Sequence, residues 1–276
     1  MSGIYAVSDL HVAYAENHEF IDRMWPERDG DWLIVAGDIS EQSSDVKWVL
    51  RALSQRYEKV IWVPGNHELW TPADDPVQLR GEARYRYLVE MCRDLGVVTP
   101  EDPYPVWHGS PDPVIVAPLF TLYDYSFRPP GVATKAEGLQ LARESGAVCT
   151  DEFLLHPDPY PSREAWCDAR LAETEQRLSA INPNCRTILI NHHPLIREPT
   201  ARLKHQHFAQ WCGTERTRDW HMRFRAISVV YGHLHIPQST EMDGVAFEEV
   251  SIGYPREWNR RGSNTGFLRR IRTEPK

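Results

Sequence analysis

Seven apolar runs, most of them rich in Val and Ile, recur along the chain, and each closes in a polar or glycine-bearing turn. They are IYAVSDLH (4–11), WLIVAGD (32–38), KVIWVPGNH (59–67), VIVAPL (114–119), TILINHHP (187–194), ISVVYGHLH (227–235) and VAFEEVSIG (245–253). Continuous runs of this length belong to strands covered on both faces. Three stretches between them carry apolar residues at helical spacing. Val46, Val49, Leu50, Leu53 and Tyr57 form one stripe, and Leu79, Ala83, Leu88, Met91, Cys92 and Leu95 a looser second one. Trp166, Leu171, Thr174, Leu178 and Ile181 form a third, with Pro161-Ser162 as its start signal. Strands alternating with helices predict an α/β layer architecture. The late strands lack long helices between them, so part of the sheet is expected to be mixed or antiparallel.

At 276 residues the chain has ample core for one large domain. The expected organisation is a single domain over 1–276 with insertions at about 120–162 and 197–225. The first insertion is rich in Pro, Tyr and Asp, and neither has a clear period, so both read as long loops acting as lids or recognition elements. Tyr123, Asp124 and Tyr125 either line a substrate mouth or pack the loop. The tail RRIRTEPK reads as a solvated end.

The chemistry lies in what ends each strand. The runs deliver Asp9-Leu10-His11, Gly37-Asp38, Gly65-Asn66-His67-Glu68, Asn191-His192-His193-Pro194 and Gly232-His233-Leu234-His235. In sheets of this class the carboxyl ends of the strands converge on a ligand crevice. One such cluster alone is as well explained by a turn or a helix cap. Five in one chain, each on the trailing edge of an apolar run, bring Asp, Asn and His side chains together as a mixed oxygen and nitrogen donor set for metal ions. Seven donors are too many for one tetrahedral ion with an open position, and they suit two ions sharing a bridging carboxylate.

These motifs resemble the signature of the calcineurin-like metallophosphoesterase family, and the match runs from Asp9 to His235. The resemblance implies a four-layer α/β/β/α sandwich with mixed sheets, lid-like insertions and a dinuclear metal site at the sheet edge. Carried over, Asp9, His11 and His235 would hold the first ion, Asn66, His192 and His233 the second, and Asp38 would bridge them. Gly37 and Gly65 would let backbone approach closely. His67 would act on the leaving group as the catalytic acid during in-line attack by water on phosphorus. The neighbouring His193 is left to face substrate. Some relatives place a carboxylate at the position of Glu41 to pair with this His; a helix-start carboxylate explains Glu41 equally well. For Glu68 a capping or supporting role is the default. Mn or Fe, with Zn as an alternative, would fit the donors.

The segments VIWVPGNHELW, VYGHLHIP and EEVSIGYPREW are similar to actinobacterial phosphopantetheinyl hydrolases, and ARYRYLVEMC, LYDYSF and TDEFLL belong to the same resemblance. It implies hydrolysis of the phosphodiester between 4′-phosphopantetheine and the serine of an acyl carrier protein. The alternatives are a phosphatase or phosphodiesterase acting on a small metabolite or nucleotide, and a scaffold that has lost the chemistry. An intact donor set with His67 argues against the scaffold. Arg256 either binds phosphate or pairs on the surface, Trp211, Trp220 and Trp258 read as packing residues, and no substrate-binding residue is fixed.

Charge and composition limit the partners. A net charge of −8 excludes a general nucleic-acid binder. Within it, 197–225 holds seven basic residues against three acidic ones, a local excess suited to an acidic partner. No apolar run is long enough to span a membrane and the N-terminal residues do not resemble a signal peptide. Five cysteines without a CxxC spacing read as packing residues in a reducing, cytoplasmic setting.

Overall fold

The computed structural model describes residues 2–262 and 266–276. Its strands are β1 (Ile4–Val7), β2 (Trp32–Val35), β3 (Lys59–Trp62), β4 (Val106–Trp107), β5 (Val114–Pro118), β6 (Arg186–Ile190), β7 (Ala226–Tyr231), β8 (Gln238–Met242), β9 (Val245–Glu249) and β10 (Arg269–Arg270). They form two sheets, in the orders β10-β1-β2-β3 and β4-β5-β6-β7-β9-β8. The inner pairs β1-β2, β2-β3, β5-β6, β6-β7 and β7-β9 are parallel. The edge pairs β1-β10, β4-β5 and β8-β9 are antiparallel, so both sheets are mixed.

The four layers follow from the pleat, which sends alternate side chains to opposite faces. Ile4, Ala6, Ile34, Ile61, Val116, Ile188, Ile190 and Val230 meet between the sheets. Their neighbours Tyr5, Val7, Leu33, Val35, Val60, Trp62, Ala117, Leu189 and Val229 face the other way, into the core under the helices. Burial on both faces is why these runs are continuously apolar. The expected helical stripes fall on the helices Ser43–Ser54, Gly81–Asp94 and Arg163–Ser179. Leu79, however, precedes the second helix, and both it and Ala83 are exposed; the buried face runs instead through Tyr85, Leu88, Val89, Met91 and Cys92.

The sheets are joined where the site lies. Ser8, just past β1, bridges Ser251, just past β9: Ser8 N–H donates to Val250 O at 3.0 Å and Ile252 N–H to Ser8 O at 2.9 Å. The ends of β1, β2 and β3 therefore face those of β6 and β7 across one edge.

Several expectations need correction. The insertions are not bare loops. The first contains the helices Lys135–Glu144 and Asp151–Leu154, the former started by a capping box between Thr134 and Glu137. The second is a chain of short turns ending in the helix Trp220–Arg223. Tyr123 and Tyr125 are fully buried, so packing rather than a substrate mouth explains them. The tail is not simply solvated: Arg269–Arg270 pairs with β1, and Ile271 is buried between the sheets. The five cysteines are free, Trp211 and Trp220 are buried, and no helix among the described residues is long and apolar enough to cross a membrane.

One buried cation ties down the loops behind the site. Arg84, on the helix Gly81–Asp94, donates to the backbone oxygens of Glu68 (2.6 Å), Val77 (2.9 Å) and Glu41 (2.9 Å), and to Asp75 Oδ2 at 2.7 Å. Removing one partner of a buried pair leaves the other charge uncompensated and costs roughly 3–5 kcal/mol. Arg84→Met is expected to lose stability of that order, read from the shift of the urea unfolding midpoint.

Candidate active site

The strand ends turn sharply so that successive side chains point into one crevice. Asp9, His11, Asp38, His233 and His235 all have positive φ, between 41° and 70°. These are five of the seven donors expected from sequence. The left-handed region is costly for residues with a Cβ, and it is retained where surrounding structure enforces it, often at functional sites. Glycines make room between the turns. A Cβ on Gly65 would lie 2.1 Å from Asp38 Oδ1, and one on Gly232 would lie 2.2 Å from Asp9 Oδ2. Gly37, at φ +87°, packs directly on the Gly65 backbone, so the close approach expected at Gly37 and Gly65 is present.

The donors form two groups. In the first, His235 Nε2 lies 3.0 Å from Asp9 Oδ1 and 3.1 Å from His11 Nε2. In the second, Asn66 Oδ1 lies 3.2 Å from His192 Nε2 and 3.1 Å from His233 Nδ1, and those two nitrogens are 3.2 Å apart. Asp38 Oδ2 sits 3.4 Å from His192 Nε2, and Asp38 clusters with Asp9 and His192 on one side and with His11 and His67 on the other. All seven expected donors are thus brought together, with Asp38 between the groups. His193 also gathers with His192 and His233, but it is buried and packs on Tyr123 and His233. It does not face an open substrate mouth as expected.

The contacts of these residues test whether they suit metal ions. His192 Nδ1–H donates to Ala36 O at 2.8 Å, which turns Nε2 into the crevice as the nitrogen that can ligate once it gives up its proton. Glu257 Oε2 accepts from His235 Nδ1 at 2.7 Å with the same consequence. Burial opposes ionisation of Asp9 and Asp38, yet the neighbouring His235 and His192 hold both carboxyls below their usual range. Burial likewise opposes protonation of His192 and His235, but Asp38 and Asp9 carry them up to about 10. For His11 and His233 burial prevails, reinforced by neighbouring rings, and both are pushed down, His233 to about 3. Two buried anions facing converging imidazole nitrogens form a site that calls for cations, and the donor set fits two divalent ions.

Supporting residues fix this arrangement. Glu68 accepts from the backbone N–H groups of Asp38 (2.9 Å), Ile39 (2.8 Å) and Gly65 (2.9 Å), tying the β2 and β3 turns together. Asp151, buried, accepts from Asn66 Nδ2 at 2.9 Å and from Trp70 Nε1 at 2.7 Å. Asp151 and Glu257 escaped the sequence reading as site residues, although TDEFLL and GYPREW stood out as segments.

His67 lies at the rim of the donors. Its Nε2 is 3.9 Å from Asp38 Oδ2 and 3.5 Å from the Tyr254 hydroxyl, and its Nδ1 is 3.7 Å from Glu41 Oε2, an ion-pair distance. Trp70 packs on the ring with centroids 3.7 Å apart. Burial disfavours the charged ring, but Asp38 and then Glu41 raise its proton affinity, and His67 in turn holds Glu41 below the carboxylate range. Of the two readings of Glu41, the pairing with His67 is the one the geometry favours. Arg256 is exposed and lies over the Tyr254 ring, which stacks on His11.

Two facing mixed sheets with this donor set at their common edge define the class: a hydrolase with a dinuclear metal site. The chain belongs to the calcineurin-like phosphoesterase family, whose model matches residues 3–237. Over 272 residues it is 52% identical to the [acyl-carrier-protein] phosphodiesterase PptH of Mycobacterium tuberculosis, spanning 99% of this chain and 84% of that protein. It superimposes on the crystal structure of the phosphopantetheinyl hydrolase PptH from the same organism with a TM-score of 0.97 at 51% identity, covering 99% of this chain and 97% of that one.

Two tests follow from the surroundings of His67. General acids contribute ~10²–10⁴-fold, so His67→Ala should lose that order in kcat on alkyl phosphoesters and far less on nitrophenyl esters, with metal content unchanged. A proton donor works below its pKa and fails as pH rises through it. Glu41 raises that pKa, so Glu41→Gln should move the alkaline limb of the pH–rate profile to lower pH. An unmoved limb would reduce Glu41 to a helix-start carboxylate.

Proposed function

We propose that this chain hydrolyses the phosphodiester joining 4′-phosphopantetheine to the serine of an acyl carrier protein. The observation that carries the reading is the 52% identity over 99% of the chain to a protein named for acyl-carrier-protein phosphodiesterase activity. That span takes in both insertions, the parts of the chain least constrained by the metal-binding turns.

Asp9, His11 and His235 would hold one ion, Asn66, His192 and His233 the other, and Asp38 would touch both. When bound, two divalent ions such as Mn, Fe or Zn would neutralise charge on the phosphoryl oxygens and lower the pKa of water. The chain supplies the rest. Asp38 is held between the groups by the His67 backbone N–H at 2.9 Å and by Glu68 behind it. Water adds to phosphorus as the bond to the serine oxygen breaks, and His67 gives that oxygen its proton. The products are phosphopantetheine and a free serine hydroxyl, and Glu41 favours the protonated ring that the step requires.

The basic stretch supports a carrier-protein partner through fewer residues than its sequence suggests. Arg197 faces Glu215, Arg216 pairs with Asp168, and Arg223 with Glu175. Arg202 and Lys204 instead line a groove of about 450 Å³ together with His235, Glu257, Phe208 and Val148. Carrier proteins of the acyl type are acidic, so these two cations stand where such a partner would approach.

Incubating the protein with holo-carrier protein and Mn, and following phosphopantetheine release by mass spectrometry, tests the reading. Reversing both charges (Arg202→Glu with Lys204→Glu) should raise KM for the carrier protein about tenfold at low salt, the lower end of steering effects. The difference should shrink at high salt, and turnover of a small chromogenic phosphodiester should hardly change. No release from any holo-carrier protein, with good turnover of small phosphoesters, would favour a metabolite phosphoesterase.

A further inference from the structure

The helix Asp151–Leu154 lies in the first insertion, and its first two side chains serve different neighbours. Asp151 is fully buried. A single oxygen, Oδ1, accepts both from Asn66 Nδ2 (2.9 Å) and from the indole of Trp70 (2.7 Å). Glu152 turns the other way, accepting from the Tyr125 hydroxyl at 2.7 Å, Trp211 Nε1 at 2.8 Å and Arg163 at 3.2 Å. Arg163 also donates to the backbone oxygens of Asp151 and Leu155. Both insertions and the helix Arg163–Ser179 therefore brace the backbone that carries Asp151.

An asparagine amide can present either its oxygen or its nitrogen to a neighbour, and the choice is decided by hydrogen bonding. Here the Asp151 carboxylate accepts only from the NH₂ end, which turns Asn66 Oδ1 toward His192 and His233. Through the same oxygen it holds Trp70, the ring against which His67 packs. We propose that Asp151 is a positioning residue that sets the amide orientation of Asn66 for the second metal ion and the stacking partner of His67. The insertion is thereby part of the metal centre rather than a cover over it. This inference rests on the reading of Asn66 as a ligand.

Metal binding separates the possibilities. Full-length protein stripped of metal is titrated with Mn in competition with a chelator, for the wild type, Asp151→Ala and Asp151→Asn. Partners that orient a ligand are worth 10–100-fold in metal affinity. Asp151→Ala is expected to weaken one of two Mn equivalents by about that factor and leave the other unchanged. Asp151→Asn keeps an oxygen able to accept from both donors and should restore both. Urea unfolding of the metal-free forms separates this from loss of fold. Should the alanine variant not fold, Asp151→Ser, whose hydroxyl is too short to serve both donors, is measured instead with the same expectation. Two unchanged equivalents in Asp151→Ala, or equal losses in the Ala and Asn variants, would overturn the orienting role. A wild-type chain that binds no second equivalent would remove the metal from Asn66 and this role with it.

Discussion

Asp9 and Asp38 are carboxylates buried side by side where two sheets meet, and a buried carboxylate persists as an anion only if its surroundings supply compensating charge and donors. Asp9 takes hydrogen bonds from Ser8, Ser251 and the His233 N–H, and Asp38 from the His67 N–H. Those bonds do not neutralise two negative charges. The surrounding imidazoles can, as protonated rings or as co-ligands of metal ions. An imidazole binds a metal only after losing its proton, so metal binding at His192 and His235 releases protons and is favoured by higher pH. The fold answers a charge problem that its own strand ends create.

That requirement explains the irregular backbone around the crevice. Bringing seven donors from five turns into contact needs carbonyl and amide groups packed closer than side chains allow, hence glycine at positions 37, 65 and 232. It also needs side chains to leave the chain in quick succession toward one point, hence the left-handed conformations of Asp9, His11, Asp38, His233 and His235. Each such residue costs of order 1–3 kcal/mol. The two-sided packing of the parallel strands, continuous across both sheet faces, offsets that cost.

What the sequence reveals of this arrangement depends on how local each signal is. A buried strand and the donors that end it are contiguous, so IYAVSDLH or VYGHLHIP discloses both together. The three helical stripes are equally local. The edge strand Gln238–Met242 is largely solvent-facing and polar, and β10 is two residues long, so neither has an apolar period to read. Asp151 reaches Asn66 across 85 residues, and Glu257 reaches His235 from a helix that carries no buried face of its own. The charge of 197–225 misleads for the same reason, since Asp168 and Glu175, which neutralise Arg216 and Arg223, lie on another helix. Donors and the supports that stand beside them in sequence, Glu41 and Glu68, are legible, whereas the groups that aim or cancel from distant elements are not.

The two insertions add a further level of dependence. Trp211 from the second donates to Glu152 of the first, and Phe208 stacks against His233, so both reach the same group of donors from outside. A partner settling on the groove beside Arg202 and Lys204 would touch these segments before its phosphodiester reached the crevice. Because Asp151 shares its short helix with Glu152, the surface that meets such a partner and the carboxylate that orients Asn66 belong to one braced unit. Rigid bracing of this kind costs nothing at the moment of binding and keeps the donors aligned whether or not a partner is present. Selectivity for a large substrate can therefore be built on the outer faces of the insertions while their inner residues keep the metal-binding geometry fixed.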